Sequence, residues 1–112
     1  MTVRAFEMQL TPGQAAEYRR RHDEIWPELV DALRAAGVRD YRIFCDEDTG
    51  RLFAVMHLTG EHTVDVLPEH QVMQRWWAYM ADLMETRPDN SPVEVPLMPV
   101  FTLSAEADDA SC

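Results

Sequence analysis

The sequence predicts a single α+β domain with element order βαββαβ. Three observations predict it: an N-terminal segment that alternates polar and apolar, two long stretches with apolar residues at helical spacing, and turn formers at the junctions between segments. In Thr2 to Leu10, Phe6, Met8 and Leu10 fall on one side and Ala5, Glu7 and Gln9 on the other, a strand with one buried face. Thr11-Pro12-Gly13-Gln14 reads as a helix start, with Thr11 as cap, Pro12 in the first helical position and Gln14 completing a capping box. The helix is expected to reach about Ala36 and to stop at Gly37, with a kink or short break near Trp26 because Pro27 lacks an N–H.

Val38 to Asp46 and Arg51 to Thr59 read as the second and third strands, joined through the hairpin loop Asp46-Glu47-Asp48-Thr49-Gly50. Glu61 to Met84 is helical in pattern, with Pro68 separating a short first turn from the main helix. Thr86 to Pro92 is a loop, and Val93 to Leu103 is extended, with Pro96 and Pro99 marking an edge strand or bulges. Residues 1–103 form one domain; the acidic 104–112 tail has no periodicity and is expected to be disordered. This is the split βαβ arrangement of ferredoxin-like domains, an antiparallel sheet with both helices on one face. The other sheet face is left open for a ligand, a dimer interface, or both. Leu52, Ala54, Met56 and Leu58 lie on one side of the third strand and Phe53 and Val55 on the other, so both sides are apolar, and a homodimer is expected.

Composition removes several function classes. The chain of 112 residues is 46% hydrophobic and 27% charged, with a net charge of −10. That charge disfavours nucleic acid and anionic substrates, which need basic surfaces, and makes a neutral ligand the easiest fit. All ten basic residues are arginine, so Schiff-base chemistry and a phosphate-loop lysine are excluded. No apolar run approaches the ~20 residues of a membrane span, and the N-terminus has no signal-peptide core. Cys45 and Cys112 make no disulfide framework, and two reduced thiols in a cytoplasmic protein are expected. His57, His62 and His70 lack metal-ligand spacing, and no CxxC or HExxH is present, so no metal is expected.

Some residues could carry chemistry. Tyr18, His22, Ile25, Leu29, Ala32, Leu33 and Ala36 form one stripe on the first helix, and His22 stands where an apolar side chain is expected. It is either a core histidine satisfied by a backbone carbonyl or a general acid/base, a role its ordinary pKa of about 6.5 suits. Tyr18, one turn away on the same face, brings a second polar tip toward the same place. On the second helix, Trp76 and Trp77 point about 100° apart, so both are core only if two faces are buried. An indole face otherwise packs against the C–H face of a sugar. Tyr41 adds another aromatic with a polar tip, equally readable as an ordinary strand tyrosine. Asp89-Asn90-Ser91 is either a turn or the mouth of a polar pocket.

Three motifs then bear on identity: RRHDEIWPEL (Arg20 to Leu29), QRWWAYMADLM (Gln74 to Met84) and PDNSP (Pro88 to Pro92). With the opening Ala5-Phe6-Glu7-Met8-Gln9, their order and spacing resemble the L-rhamnose mutarotase family from about Arg4 to Leu103. The resemblance implies a dimeric α+β barrel and exchange of the α and β anomers at C1 of a free sugar, L-rhamnose, without metal or cofactor. It implies His22 as proton donor to the ring oxygen and Tyr18, Tyr41, Trp76 and Trp77 as sugar-binding residues. The tyrosines would position hydroxyls and a tryptophan would support the ring. It implies nothing for His57 to His70 or for the tail. Relatives acting on other neutral sugars such as L-fucose are one alternative. A cofactor-free oxygenase or haem-degrading protein on the same dimeric barrel is another, and a non-catalytic dimer with purely structural aromatics is a third.

Overall fold

A computed structural model describes residues 2–103; the tail expected over residues 104–112, with Cys112, lies outside them. Strand β1 (Thr2–Gln9) is followed by helices α1 (Ala15–Asp23) and α2 (Pro27–Ala35), then by strands β2 (Val38–Asp46) and β3 (Arg51–Leu58). A 3₁₀ segment (Val64–Glu69) leads into helix α3 (Gln71–Met80), which ends in a 3₁₀ turn (Ala81–Leu83), and β4 (Val95–Leu97) closes the sheet. The four strands lie in the order β2-β3-β1-β4, and every pairing is antiparallel. That is the ferredoxin-like order.

One local expectation needs correction. The helix does not start at Pro12. Gln14 N–H donates to the Thr11 carbonyl at 3.3 Å and Gly13 has φ +82°, so Thr11-Pro12-Gly13-Gln14 is a turn with proline second and glycine third. Helix α1 begins only at Ala15, with no side-chain cap. The kink or short break expected near Trp26 is a break, with residues 24–26 between the two helices. Proline disfavours the helical region for the residue before it, and Trp26 is extended (φ −66°, ψ 132°) as the N-cap of α2. Pro27 then occupies the first helical position, and the Trp26 carbonyl accepts from Leu29 and Val30.

The core lies between the helices and one sheet face. Phe6, Met8 and Leu10 from the first strand region, with Leu52, Ala54 and Leu58 from β3, pack against Leu29, Val72, Trp76 and Met80. Residues of the other sheet face pair in rows: Phe44 opposite Phe53, Phe53 opposite Glu7 and Glu7 opposite Val95, then Arg42, Val55, Ala5 and Leu97 in the next row. Phe44 and Val95 are more than half exposed. The extended C-terminal region pairs with β1 only over Val95–Leu97, while Met98, Val100, Phe101 and Leu103 beyond it stand exposed.

Candidate active site

Helix α1 supplies the first half of the site. Tyr18 and His22 are four residues apart and share a face. The Tyr18 ring is buried, and His22 lies against it with ring centroids 4.4 Å apart. His22 Nδ1 is 2.9 Å from the Tyr18 carbonyl. A carbonyl only accepts, so Nδ1–H donates and the tautomer is fixed: Nε2 is the nitrogen left for chemistry. Burial disfavours the imidazolium and lowers the His22 pKa below the ordinary 6.5, against the smaller opposing pulls of the Tyr18 carbonyl and the Asp23 carboxylate. At neutral pH the imidazole is uncharged, with a basic Nε2.

Helix α3 supplies the second half. Trp76 stands edge-on to His22 at 5.4 Å and edge-on to Trp26 at 5.0 Å. Tyr79 stacks on Trp26 at 5.6 Å and lies 5.7 Å from Trp76. Trp76 is thus buried, and Trp77, one residue on, is half-buried against the core. Since Tyr18 and Trp76 are enclosed, the part of the His22 cluster nearest solvent is the partly buried His22 itself.

Tyr41 enters from the sheet. On β2 it pairs with Met56 and packs against the core. Burial raises the phenol pKa of both tyrosines far above 10, and the charge of Tyr18 is felt at Tyr41, as is that of the Glu94 carboxyl. Both phenols are therefore neutral donors.

The structure brings Tyr18, His22 and Trp76 into one cluster, packs Tyr41 of β2 against the same core, and leaves Trp77 outside the aromatic contacts of His22. Trp26 and Tyr79 were missed by sequence reasoning. The signal for Trp26 was Pro27, which forces its backbone out of the helix; the signal for Tyr79 was its place three residues after Trp76. The other histidines have local duties. His70 Nδ1 caps α3 by accepting from Val72 N–H, and His62 Nδ1 accepts from Val64 N–H. Asp89-Asn90-Ser91 is a turn: Asn90 has φ +72°, and the Ser91 N–H and hydroxyl both donate to the Asp89 carboxylate.

A family model described as L-rhamnose mutarotase matches residues 4–103. The chain belongs to the L-rhamnose mutarotase family. An L-rhamnose mutarotase from Jannaschia sp. is 68% identical over 97 residues, spanning 87% of this chain and 93% of that protein. One from Sinorhizobium fredii is 63% identical over 100 residues, spanning 89% and 96%. The crystal structure of the L-rhamnose mutarotase from Formosa agariphila superposes with a TM-score of 0.86 at 42% identity, covering 93% of this chain and all of that one. A Mycobacterium tuberculosis protein shares the fold at 19% identity and a TM-score of 0.55. The family match covers all three sequence motifs and reaches Leu103, so the exposed C-terminal strand region belongs to the family domain.

Proposed function

We infer that this chain interconverts the α and β anomers of L-rhamnose by proton transfer at His22. The observation that carries the reading is the fixed tautomer of His22, whose Nε2 is basic and makes no hydrogen bond among the described residues, in a cluster with Tyr18 and Trp76. Membership of the L-rhamnose mutarotase family supplies the substrate. The reaction needs only protons. Neutral Nε2 takes the proton of the C1 hydroxyl, the C1–O5 bond breaks as C1=O forms, and the imidazolium gives its proton to the ring oxygen. Rotation about C1–C2 presents the other carbonyl face, and the same steps in reverse close the ring. No proton, electron or atom is gained or lost over the cycle.

His22 is thus the donor to the ring oxygen, and its lowered pKa means that it accepts before it donates. A positioned imidazole contributes roughly 10²–10⁴ to such a step. Tyr18 and Tyr41, both neutral, would hold sugar hydroxyls, and Trp76 and Trp77 would back the ring. The test is saturation-transfer NMR across L-rhamnose, L-fucose and other free neutral sugars. Exchange enhanced most for L-rhamnose is expected; enhancement confined to another sugar would overturn the substrate.

Two further statements go with this reading. A homodimer is favoured by the row Phe44, Phe53 and Val95 on the open sheet face and by the exposed apolar residues after β4, since contiguous apolar surface of this kind marks an interface. A cytoplasmic location is favoured by the free thiol of Cys45, and no helix among the described residues is long and apolar enough to cross a membrane.

A further inference from the structure

Three arginines in succession, Arg19 to Arg21, open the helix turn that ends in His22, and they have different fates. The Arg19 side chain is 86% exposed, Arg20 is half exposed, and Arg21 is only 12% exposed. A guanidinium this deeply set is costly unless its donors are matched. Those of Arg21 are matched, and the partners fall in two groups. One is on its own helix: Nε donates to Glu17 at 2.8 Å. The other is at the far end of α3: Nη1 donates to the Tyr79 carbonyl at 2.6 Å and to Asp82 at 2.9 Å, and Nη2 donates to Asp82 at 3.3 Å. The guanidinium carbon also lies 4.5 Å above the centre of the Tyr79 ring. The C-terminal end of a helix, with its unpaired carbonyls, favours a cation there.

The two elements that Arg21 joins each carry half of the site, Tyr18 and His22 on α1 and Trp76 on α3. Helix α1 otherwise has little close backbone packing against the rest of the fold, so the buried Tyr18 ring and side-chain bridges hold its position. The edge-on contact of His22 with Trp76 at 5.4 Å depends on that position.

We propose that Arg21 is a positioning residue for anomer exchange, a guanidinium clamp that holds α1 against the end of α3 and so fixes His22 relative to Trp76. The assignment rests on the mutarotase reading above. A misplacement of about 1 Å in a reacting group can cost on the order of 10²-fold in rate. A clamp that acts on alignment therefore shows in kcat rather than in KM. Lysine retains the charge but lacks the planar fork, so it cannot serve the carbonyl, both carboxylates and the ring together.

The experiment measures L-rhamnose exchange by saturation-transfer NMR over a range of sugar concentrations for the wild-type chain, Arg21→Ala, Arg21→Lys, Asp82→Asn and Arg19→Ala. Circular dichroism gives the folded fraction of each. Arg21→Ala is expected to lower kcat per folded molecule roughly 10–100-fold, with KM within about threefold of wild type. Arg21→Lys should fall between Arg21→Ala and wild type, Asp82→Asn should show a smaller loss in the same direction, and Arg19→Ala should match wild type. A folded Arg21→Ala with wild-type kcat overturns the proposal, as does a loss that only follows the unfolded fraction. Should Arg21→Ala fail to fold, Asp82→Asn decides, because its side chain is two-thirds exposed; an unchanged kcat there overturns the clamp. Absence of exchange in the wild-type chain instead overturns the mutarotase reading, and the clamp with it.

Discussion

His22 lies in the last turn of α1, and its pKa is lowered because burial outweighs the opposing pulls of the Tyr18 carbonyl and the Asp23 carboxylate. A lowered pKa means that the neutral, basic form persists to more acidic pH than for a free histidine. Exchange is therefore expected to hold steady through neutrality and to fall along an acidic limb whose midpoint lies below 6.5, read from the pH dependence of kcat/KM. A midpoint above 6.5 would contradict the lowered pKa, and a rate that climbs toward acid would show that the imidazolium is the active form. The tryptophans divide at the same scale. Trp76, 5% exposed and in contact with three other rings, should cost about 3–5 kcal/mol of stability as Trp76→Ala in urea unfolding. Trp77→Ala removes a half-buried ring and should cost less stability, with its main effect a raised KM for L-rhamnose.

Among the elements, the strands and the order βαββαβ were legible in the sequence because alternation along β1 and the turn formers around β2 and β3 carry little ambiguity. The helix starts were not. Thr11-Pro12-Gly13-Gln14 satisfies both a helix N-terminus and a turn with glycine third, and only the left-handed backbone at Gly13 separates them. The break before Pro27 was legible, but its consequence, an extended Trp26 free to stack on Tyr79 and meet Trp76, depends on packing that spacing alone does not express. For the site, His22, Tyr18 and Trp76 could be picked out as oddities of a helical stripe. The fixed tautomer and the Arg21 clamp could not, since both depend on contacts between side chains and backbone carbonyls. The helix end at Gly37 was legible and is strict. Its φ is +102°, and a Cβ there would come within 2.6 Å of Thr59 Oγ1 and 2.8 Å of His62 Cβ. Gly37→Ala should lose on the order of 1–3 kcal/mol in denaturant unfolding; an unchanged midpoint would mean that this junction is looser than drawn.

The whole molecule presents two unlike sheet faces. One is sealed by helices that carry the site, and the other is an open row of apolar side chains continued by the exposed region after β4. Phe44 pairs with Phe53 near the outer edge of that row, away from the helices. Phe44→Asp with Phe53→Asp should convert a dimer to a monomer in light scattering after size exclusion, and a wild-type chain that already runs as a monomer would contradict the dimer. The proposed anomer exchange turns on one proton-transfer group. Saturation-transfer NMR of L-rhamnose with equal amounts of folded wild-type and His22→Ala protein tests it most directly. The prediction is strong transfer between the α and β C1–H signals for wild type and exchange at the uncatalysed background for His22→Ala; equal exchange rates in the two would contradict it.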